Sequence, residues 1–337
     1  MTRERSSPDG SARTAPEGKR RLRVVVRTLL AQVVLIGAAE LYFRTQVPES
    51  GTTPFRTSEV AGLSSELRPG FETRYKGIDV RINAIGCRGD ELEARDPEVL
   101  RVALVGDSFA FGSGVPLRDT LGERLEAALA AAGQPAEVVN FGVPGYCAVE
   151  SSIVVREKAL AVDPDVVLYL FYANDTEAPR EYAEIPQDAV IDSMHAFTAG
   201  SAFLEWLSVR SRQLASGLGR PIGKRTPEFS RSLYEGGGGV RVRRALTRMR
   251  DACSEADVPL VVAGYPHLTH TDVNPFRPID ELAAKDAAEL GIPFVDLLEA
   301  FDGENDLTGY WAHVFDHHPN GEANARAAEV LAPYLLD

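Results

Sequence analysis

From Leu100 to the C-terminus the chain repeats one pattern, a short apolar run followed by a stretch with helical spacing. Leu100–Val105 (LRVALV) ends in Gly106 and has the character of a buried strand. Thr120 to Ala132 then places Leu121, Leu125, Ala128 and Leu129 on one helical face, with Asp119 as N-cap and Gly133 as stop. The alternation continues through strand 137–140, helix 149–162, strand 165–172 and helix 240–256. Strand 259–264, helix 279–290, strand 293–297 and a closing helix over 321–336 complete it. Strands separated by helices cannot pair as hairpins, so they form a parallel sheet with helices on both faces. The predicted fold is α/β, a three-layer α/β/α arrangement around a central parallel sheet. The rhythm breaks once, over about 65 residues between strand 165–172 and helix 240–256. That stretch holds a helical segment, Ala202–Ala215, and ends in Gly236–Gly239. An insertion this long reads as a lid or substrate-selecting element, with a neutral elaboration as the alternative.

Upstream the composition changes. The chain of 337 residues carries a net charge of −13, yet residues 1–27 hold eight basic residues against three acidic ones, leaving −18 for the rest. An acidic body argues against a nucleic-acid partner, because phosphate binding needs a basic surface. Behind the basic segment, Val24 to Phe43 gives 20 mostly apolar residues, with an uncharged centre from Thr28 to Ala39. About 20 such residues cross a bilayer, and charges near the ends reach the interface. The favoured reading is an uncleaved single-pass anchor. A cleaved signal peptide, suggested by Gly37-Ala38-Ala39, and a buried or amphipathic helix are the alternatives. For an anchor or a signal, the basic flank stays in the cytoplasm and the remainder lies outside it. Residues 47–75, rich in Pro, Gly, Ser and Thr, read as a linker, and Gly77–Asn83 as a short strand. Three cysteines, Cys87, Cys147 and Cys253, exclude a disulfide framework, and no CxxC points to zinc.

Ligands of open parallel sheets bind at the carboxyl ends of the strands, so the residues after each strand are the candidates for chemistry. The first strand is followed by Gly106-Asp107-Ser108, a turn that can expose a serine hydroxyl, or simply cap the next segment. The second runs into Phe141-Gly142-Val143-Pro144-Gly145, where a glycine can present a backbone N–H to a cleft. The third ends Ala173-Asn174-Asp175, where the carboxamide can donate to an oxyanion or cap a turn. After the last strand come His313, Asp316, His317 and His318, followed by Pro319-Asn320. Asp316 and His318 share one side of an extended segment, as an acid–base pair requires. The four also raise a metal cluster, which is disfavoured because the other ligand types are scattered and the serine offers a use for the histidine. His313 and His317 read as solvated loop residues. Cys147 reads as a small buried thiol.

These blocks, in this order, resemble the SGNH (GDSL-type) hydrolase family, membrane-anchored bacterial type. The resemblance runs from about Leu100 to the C-terminus apart from the insertion. Ile82–Gly89 (INAIGCRG) looks like a lead-in of the anchored members, with Cys87 where an aromatic is common. It implies an SGNH/flavodoxin-like fold preceded by a transmembrane helix. It further implies Ser108 as nucleophile with its own N–H in an oxyanion hole completed by Gly145 and Asn174. DHHPN then gives His318 as base, with Asp316 as its acid. The family often has Asp three residues before the histidine, where this chain has Phe315, so Asp316 is the carboxylate available. Ala173 stands where many members have Gly.

The expected organisation is a basic cytoplasmic tail (1–27), an anchor (28–46), a linker with a short strand (47–97) and a hydrolase domain (98–337) with insertion 177–239. The expected activity is hydrolysis of carboxylic esters through an acyl-serine, without cofactor, on lipid or carbohydrate esters of the cell envelope. O-acyl transfer to an extracytoplasmic glycan and a catalytically silent tethered binding module are the alternatives.

Overall fold

The computed structural model describes residues 17–45, 53–179, 227–271, 274–313 and 316–336, with 201, 203, 204 and 207 as isolated positions. Helix α1 (Glu17–Arg44) comes first. Within its Lys19–Arg44 portion an 18-residue stretch has a mean hydropathy of 1.9 and is not buried against the rest of the chain, so the helix is long and apolar enough to span a membrane. The same properties fit a signal sequence. The helix begins well inside the stretch expected as a tail, because Lys and Arg are good helix formers and no proline intervenes after Glu17. At its far end Glu40 pairs with Arg44 at 2.7 Å and accepts from the Ser201 hydroxyl at 2.7 Å.

Two antiparallel hairpins follow, β1 (Phe55–Thr57) with β2 (Ser65–Leu67), and β3 (Glu72–Tyr75) with β4 (Ile78–Arg81). From residue 53 onward the expected linker is therefore corrected. Phe55, Leu63, Leu67, Val80, Ile82 and Cys87 are buried in the main core. The Gly, Pro and Ser content that suggested a tether makes hairpin turns instead, and the apolar residues between them dock on the domain. Glu150, itself buried, fastens the segment by accepting from the Ser64 hydroxyl at 2.6 Å.

The central sheet is all-parallel: β5 (Leu100–Gly106), β6 (Ala136–Asn140), β7 (Val166–Phe171), β8 (Leu260–Gly264) and β9 (Phe294–Asp296), in spatial order β6-β5-β7-β8-β9. Alternation along each strand divides the core in two. Val102, Leu104, Leu168 and Leu170 face α3 (Leu121–Ala131) and the closing helix. Ala103, Val105, Val167, Tyr169 and Phe171 face α4 (Ala148–Val154) and the helices of the other layer. Fully buried Leu121, Leu125 and Leu129 each contribute roughly 1.5–3 kcal/mol of apolar transfer. Between β5 and α3 lies a single turn, α2 (Ser108–Phe111). After β7 the described chain resumes with α5 (Pro227–Leu233), α6 (Gly239–Glu255) and α7 (Arg277–Glu289), and ends with α8 (Gly321–Leu331). Pro333 tightens the last turn beyond α8, which is why the closing helix is shorter than its apolar pattern. Most of insertion 177–239, including nearly all of the expected helix 202–215, lies outside the described residues.

The strand order fixes where chemistry can sit. From β5 the chain moves to β6 on one side, then crosses to β7 on the other, so β5 and β7 flank the topological switch point. Loops leaving their carboxyl ends diverge and open a crevice there. Ser108 follows β5 and Asn174 follows β7.

Candidate active site

Ser108 is the first residue of α2, and Asp107 is its N-cap: the carboxylate Oδ1 accepts the Phe109 N–H at 2.8 Å. The capping alternative thus falls to Asp107, while Ser108 is half-buried at the head of the same turn. As a first helical residue, Ser108 has a backbone N–H with no partner within the helix. Its side-chain oxygen lies 2.7 Å from Nε2 of His318.

His318 arrives on a hairpin that was expected only as an extended segment. Strand β10 (Trp311–His313) pairs antiparallel with β11 (Asp316–Pro319), which puts Asp316 and His318 on one side. Asp316 Oδ1 accepts from His318 Nδ1 and, at 3.2 Å, from the His318 backbone N–H. A carboxylate can only accept, so Nδ1 carries the ring proton and Nε2 faces Ser108 as an acceptor. Asn320 N-caps α8 directly after, accepting from the N–H groups of Glu322 and Ala323, and so sets the angle at which β11 leaves the site.

The remaining expected residues fall around this run. Asn174 Nδ2 donates to Asp107 Oδ2 at 2.8 Å, tying the β7 turn to the nucleophile turn. An amide nitrogen has two hydrogens, so a second N–H remains. Gly145 lies in the turn after β6 with φ +89°, exposed, and with open space where a Cβ would be. Among the described residues no hydrogen bond joins it to the Ser108 group. Gly142, which the sequence did not single out, is the closer approach: a Cβ there would lie 2.3 Å from the Phe111 nitrogen. His317 stacks on Trp311 at 3.8 Å rather than facing Ser108, and His313 is half-buried on β10. Both were expected as solvated. No three Asp, Glu, His or Cys side chains among the described residues converge as a metal cage. The Cys147 thiol is buried and pushed up to about 12 by burial, which suits a packing role.

The electrostatics separate three carboxyl groups. Burial alone would raise Asp316, but the charges and hydrogen bonds of His318 and Lys76 hold it well below the usual carboxylate range. Asp107, fully buried, is raised by desolvation despite bonds from Phe109 and Asn174. Asp175, also fully buried, is raised well above the usual carboxylate range, by burial and then by the neighbouring Asp107. Aromatic rings wall one side: Phe109 lies 5.1 Å from the His318 ring and stacks on Tyr172 at 4.0 Å. The Tyr172 hydroxyl in turn meets His267 Nδ1 at 2.6 Å.

Residues 104–326, more than half of the chain, match the GDSL-like lipase/acylhydrolase family. The chain belongs to this family. It is thereby a hydrolase acting on ester bonds. Among solved structures it is similar to a lipolytic protein of the G-D-S-L family from Desulfitobacterium hafniense DCB-2 (16% identity, 69% of this chain and 98% of that one, TM-score 0.42). It is also similar to a lipase/acylhydrolase from Enterococcus faecalis (15%, 70% and 95%, TM-score 0.43). A catalytic mutant of an acetylxylan esterase from Geobacillus stearothermophilus is a third (14%, 72% and 96%, TM-score 0.44). No curated protein matches the sequence.

Two buried cations at the GDSL-family site come from before the matched range. Lys76, in the turn between β3 and β4, donates to Asp316 Oδ2 at 2.9 Å. Arg88 donates to the carbonyls of Phe111 at 2.8 Å, Gly112 at 2.5 Å and Val115 at 2.7 Å, closing the C-terminal end of α2. Nothing in the local sequence of either residue signals this, because both contacts are made by tertiary packing.

Proposed function

We propose that this ester hydrolase works through an acyl-serine at Ser108, with His318 as base, Asp316 as its acid, and the Ser108 and Gly145 N–H groups with the Asn174 amide as oxyanion donors. The hydrogen-bonded run from Asp316 through His318 to a hydroxyl at a helix N-terminus carries the reading. His318 Nε2 takes the Ser108 proton as Oγ bonds the ester carbonyl carbon, and returns it to the departing alcohol oxygen. Water, deprotonated by the same nitrogen, then releases the acid. Asp316 stabilises the imidazolium in both halves. The donors hold the tetrahedral oxyanion, where each is worth about 10²–10³ in rate.

The apolar α1 behind a basic flank supports a single-pass anchor that carries the catalytic domain outside the cytoplasm. The substrates proposed are accordingly lipid or carbohydrate esters of the cell envelope. The test is Ser108→Ala in the full-length protein, assayed on a short acyl ester and with a fluorophosphonate probe. Turnover is expected to fall by about 10³-fold or more, with labelling abolished. Retained turnover would refute the acyl-serine. An acyl-chain-length series then separates lipid from acetyl esters.

A further inference from the structure

We propose that Lys76 is a positioning residue for this site: carried in by the β3–β4 turn, its ammonium holds Asp316 Oδ2 and so aims Oδ1 at His318. The inference rests on the acyl-serine reading.

The turn itself does not want a lysine. Tyr75 pairs with Ile78, so Lys76 and Gly77 alone make the loop, with φ of +50° and +79°. Two-residue turns with positive φ at both positions favour Asn, Asp or Gly at the first, where a Cβ crowds the backbone. A hairpin-tip lysine also ordinarily extends into water. Here its side chain is only 6% exposed and ends 2.9 Å from a carboxylate 240 positions away in sequence. Turn geometry and hydration both argue against lysine, so the side chain is explained by what it touches.

What it touches is the oxygen His318 leaves open. Oδ1 takes both nitrogens of His318, the ring Nδ1 and the backbone N–H. Held at one oxygen, a carboxylate still rotates about its Cβ–Cγ bond; a partner on the other oxygen stops that rotation. Tyr75 anchors the hairpin beside it, with its ring 5.6 Å from Phe55 and 6.3 Å from Phe111 of α2.

Tyr75 on β3 and His313 on β10 also face Asp316, and Asp107 and Ser108 at the end of β5 face His318. Burial keeps Tyr75 and His313 neutral at neutral pH. The Lys76 ammonium thus shares the Asp316 charge with the imidazole. Removing it should have two effects. Asp316 is held less firmly, which lowers kcat. The full carboxylate charge then faces the ring, favouring the imidazolium, which moves the acid limb of the kcat/KM profile to higher pH. A merely structural lysine would change the amount of folded enzyme and leave that limb in place.

The experiment compares wild type, Lys76→Met, Lys76→Arg and Ser108→Ala as full-length protein in detergent, hydrolysing p-nitrophenyl butyrate from pH 5 to 9. Lys76→Met is expected to lose about tenfold in kcat with KM little changed, and to shift the acid limb upward by about half a unit or more. Lys76→Arg is expected to restore most of the rate and the limb. In an Asp316→Asn background, Lys76→Met should cost little more, because the lysine acts through that carboxylate. An unshifted limb with kcat intact overturns the proposal, as does an equal tenfold loss in the Asp316→Asn background. If Ser108→Ala itself keeps wild-type turnover, the acyl-serine reading falls and this inference with it. If Ser108→Ala is inactive while Lys76→Met matches wild type, only the role of Lys76 is lost.

Discussion

The polar groups around Ser108 come from two regions that behave differently. The loops leaving β5 and β7 and the β10–β11 hairpin supply side chains that bond to one another: Asp107 to Asn174, Ser108 to His318, His318 to Asp316. Residues 53–97 supply no such chain. They supply two cations, Lys76 and Arg88, only 8% and 3% exposed, each bonded to oxygen atoms of the first region. A buried cation is costly unless fully paired. Lys76 offsets that cost with a carboxylate oxygen, and Arg88 offsets part of it with three carbonyls and the Phe111 ring, 4.8 Å from its guanidinium carbon, its Nε having no partner among the described residues. Sheet topology therefore brings Ser108, Asn174, Asp316 and His318 to one edge, while a segment ahead of the family-matched range contributes two cations bonded beside them.

If that division is right, substitutions in the first region should act mainly on rate, and the largest belongs to Asp316. Asp316→Asn keeps the shape but offers an amide N–H to His318 Nδ1, which forces the ring proton onto Nε2. The ring then cannot accept from Ser108, and kcat should fall on the order of 10⁴-fold, read by steady-state kinetics beside a circular dichroism check of folding. Asn174→Ala comes next, at about 10²–10³-fold in kcat with little change in KM, since an oxyanion donor is used chiefly in the transition state. A loss confined to KM would instead make Asn174 a substrate-binding group.

The same division explains what could be read from the chain beforehand. Ser108 and Asn174 each stand just after a buried strand, so periodicity puts them at one sheet edge; Asp316 and His318 were placed with them by the family resemblance, since the hairpin that carries them has no periodic signal. The strand–helix order was legible because the central strands are apolar runs, unbroken in VVLYLF of β7 and LVVAG of β8. Lys76 was not legible. It sits among Thr, Arg, Tyr, Gly and Asp in a stretch whose composition resembles a tether, and its partner is set by packing across the whole domain. Arg88 was seen only as part of a lead-in pattern, since a guanidinium under a helix end has no local signature. The resemblance already favoured His318 over His317, and the hairpin gives the physical reason: its pleat turns one ring to Trp311 and the other to Ser108.

Arg88 gives the mildest effect on rate and the sharpest test of the second region. Its two terminal nitrogens take the carbonyls of Phe111, Gly112 and Val115, at and just beyond the end of a four-residue helix, where only the Gly112 carbonyl has a backbone donor, the Val115 N–H, among the described residues. Arg88→Met keeps the apolar contact with Phe111 and removes the donors. Leaving buried carbonyls unbonded should cost about 3 kcal/mol, which for a domain of this size lowers Tm by roughly 6–12 °C. Turnover by the folded enzyme should fall less than about tenfold, because Ser108 lies at the opposite end of α2 and stays fixed by the Asp107 cap and His318. Differential scanning fluorimetry and kcat on the same preparation read both. An unchanged Tm would mean that the carbonyls are satisfied without Arg88. A loss of rate as large as that of Asn174→Ala would mean that the N-terminal segment takes part in the chemistry and does more than hold it in place.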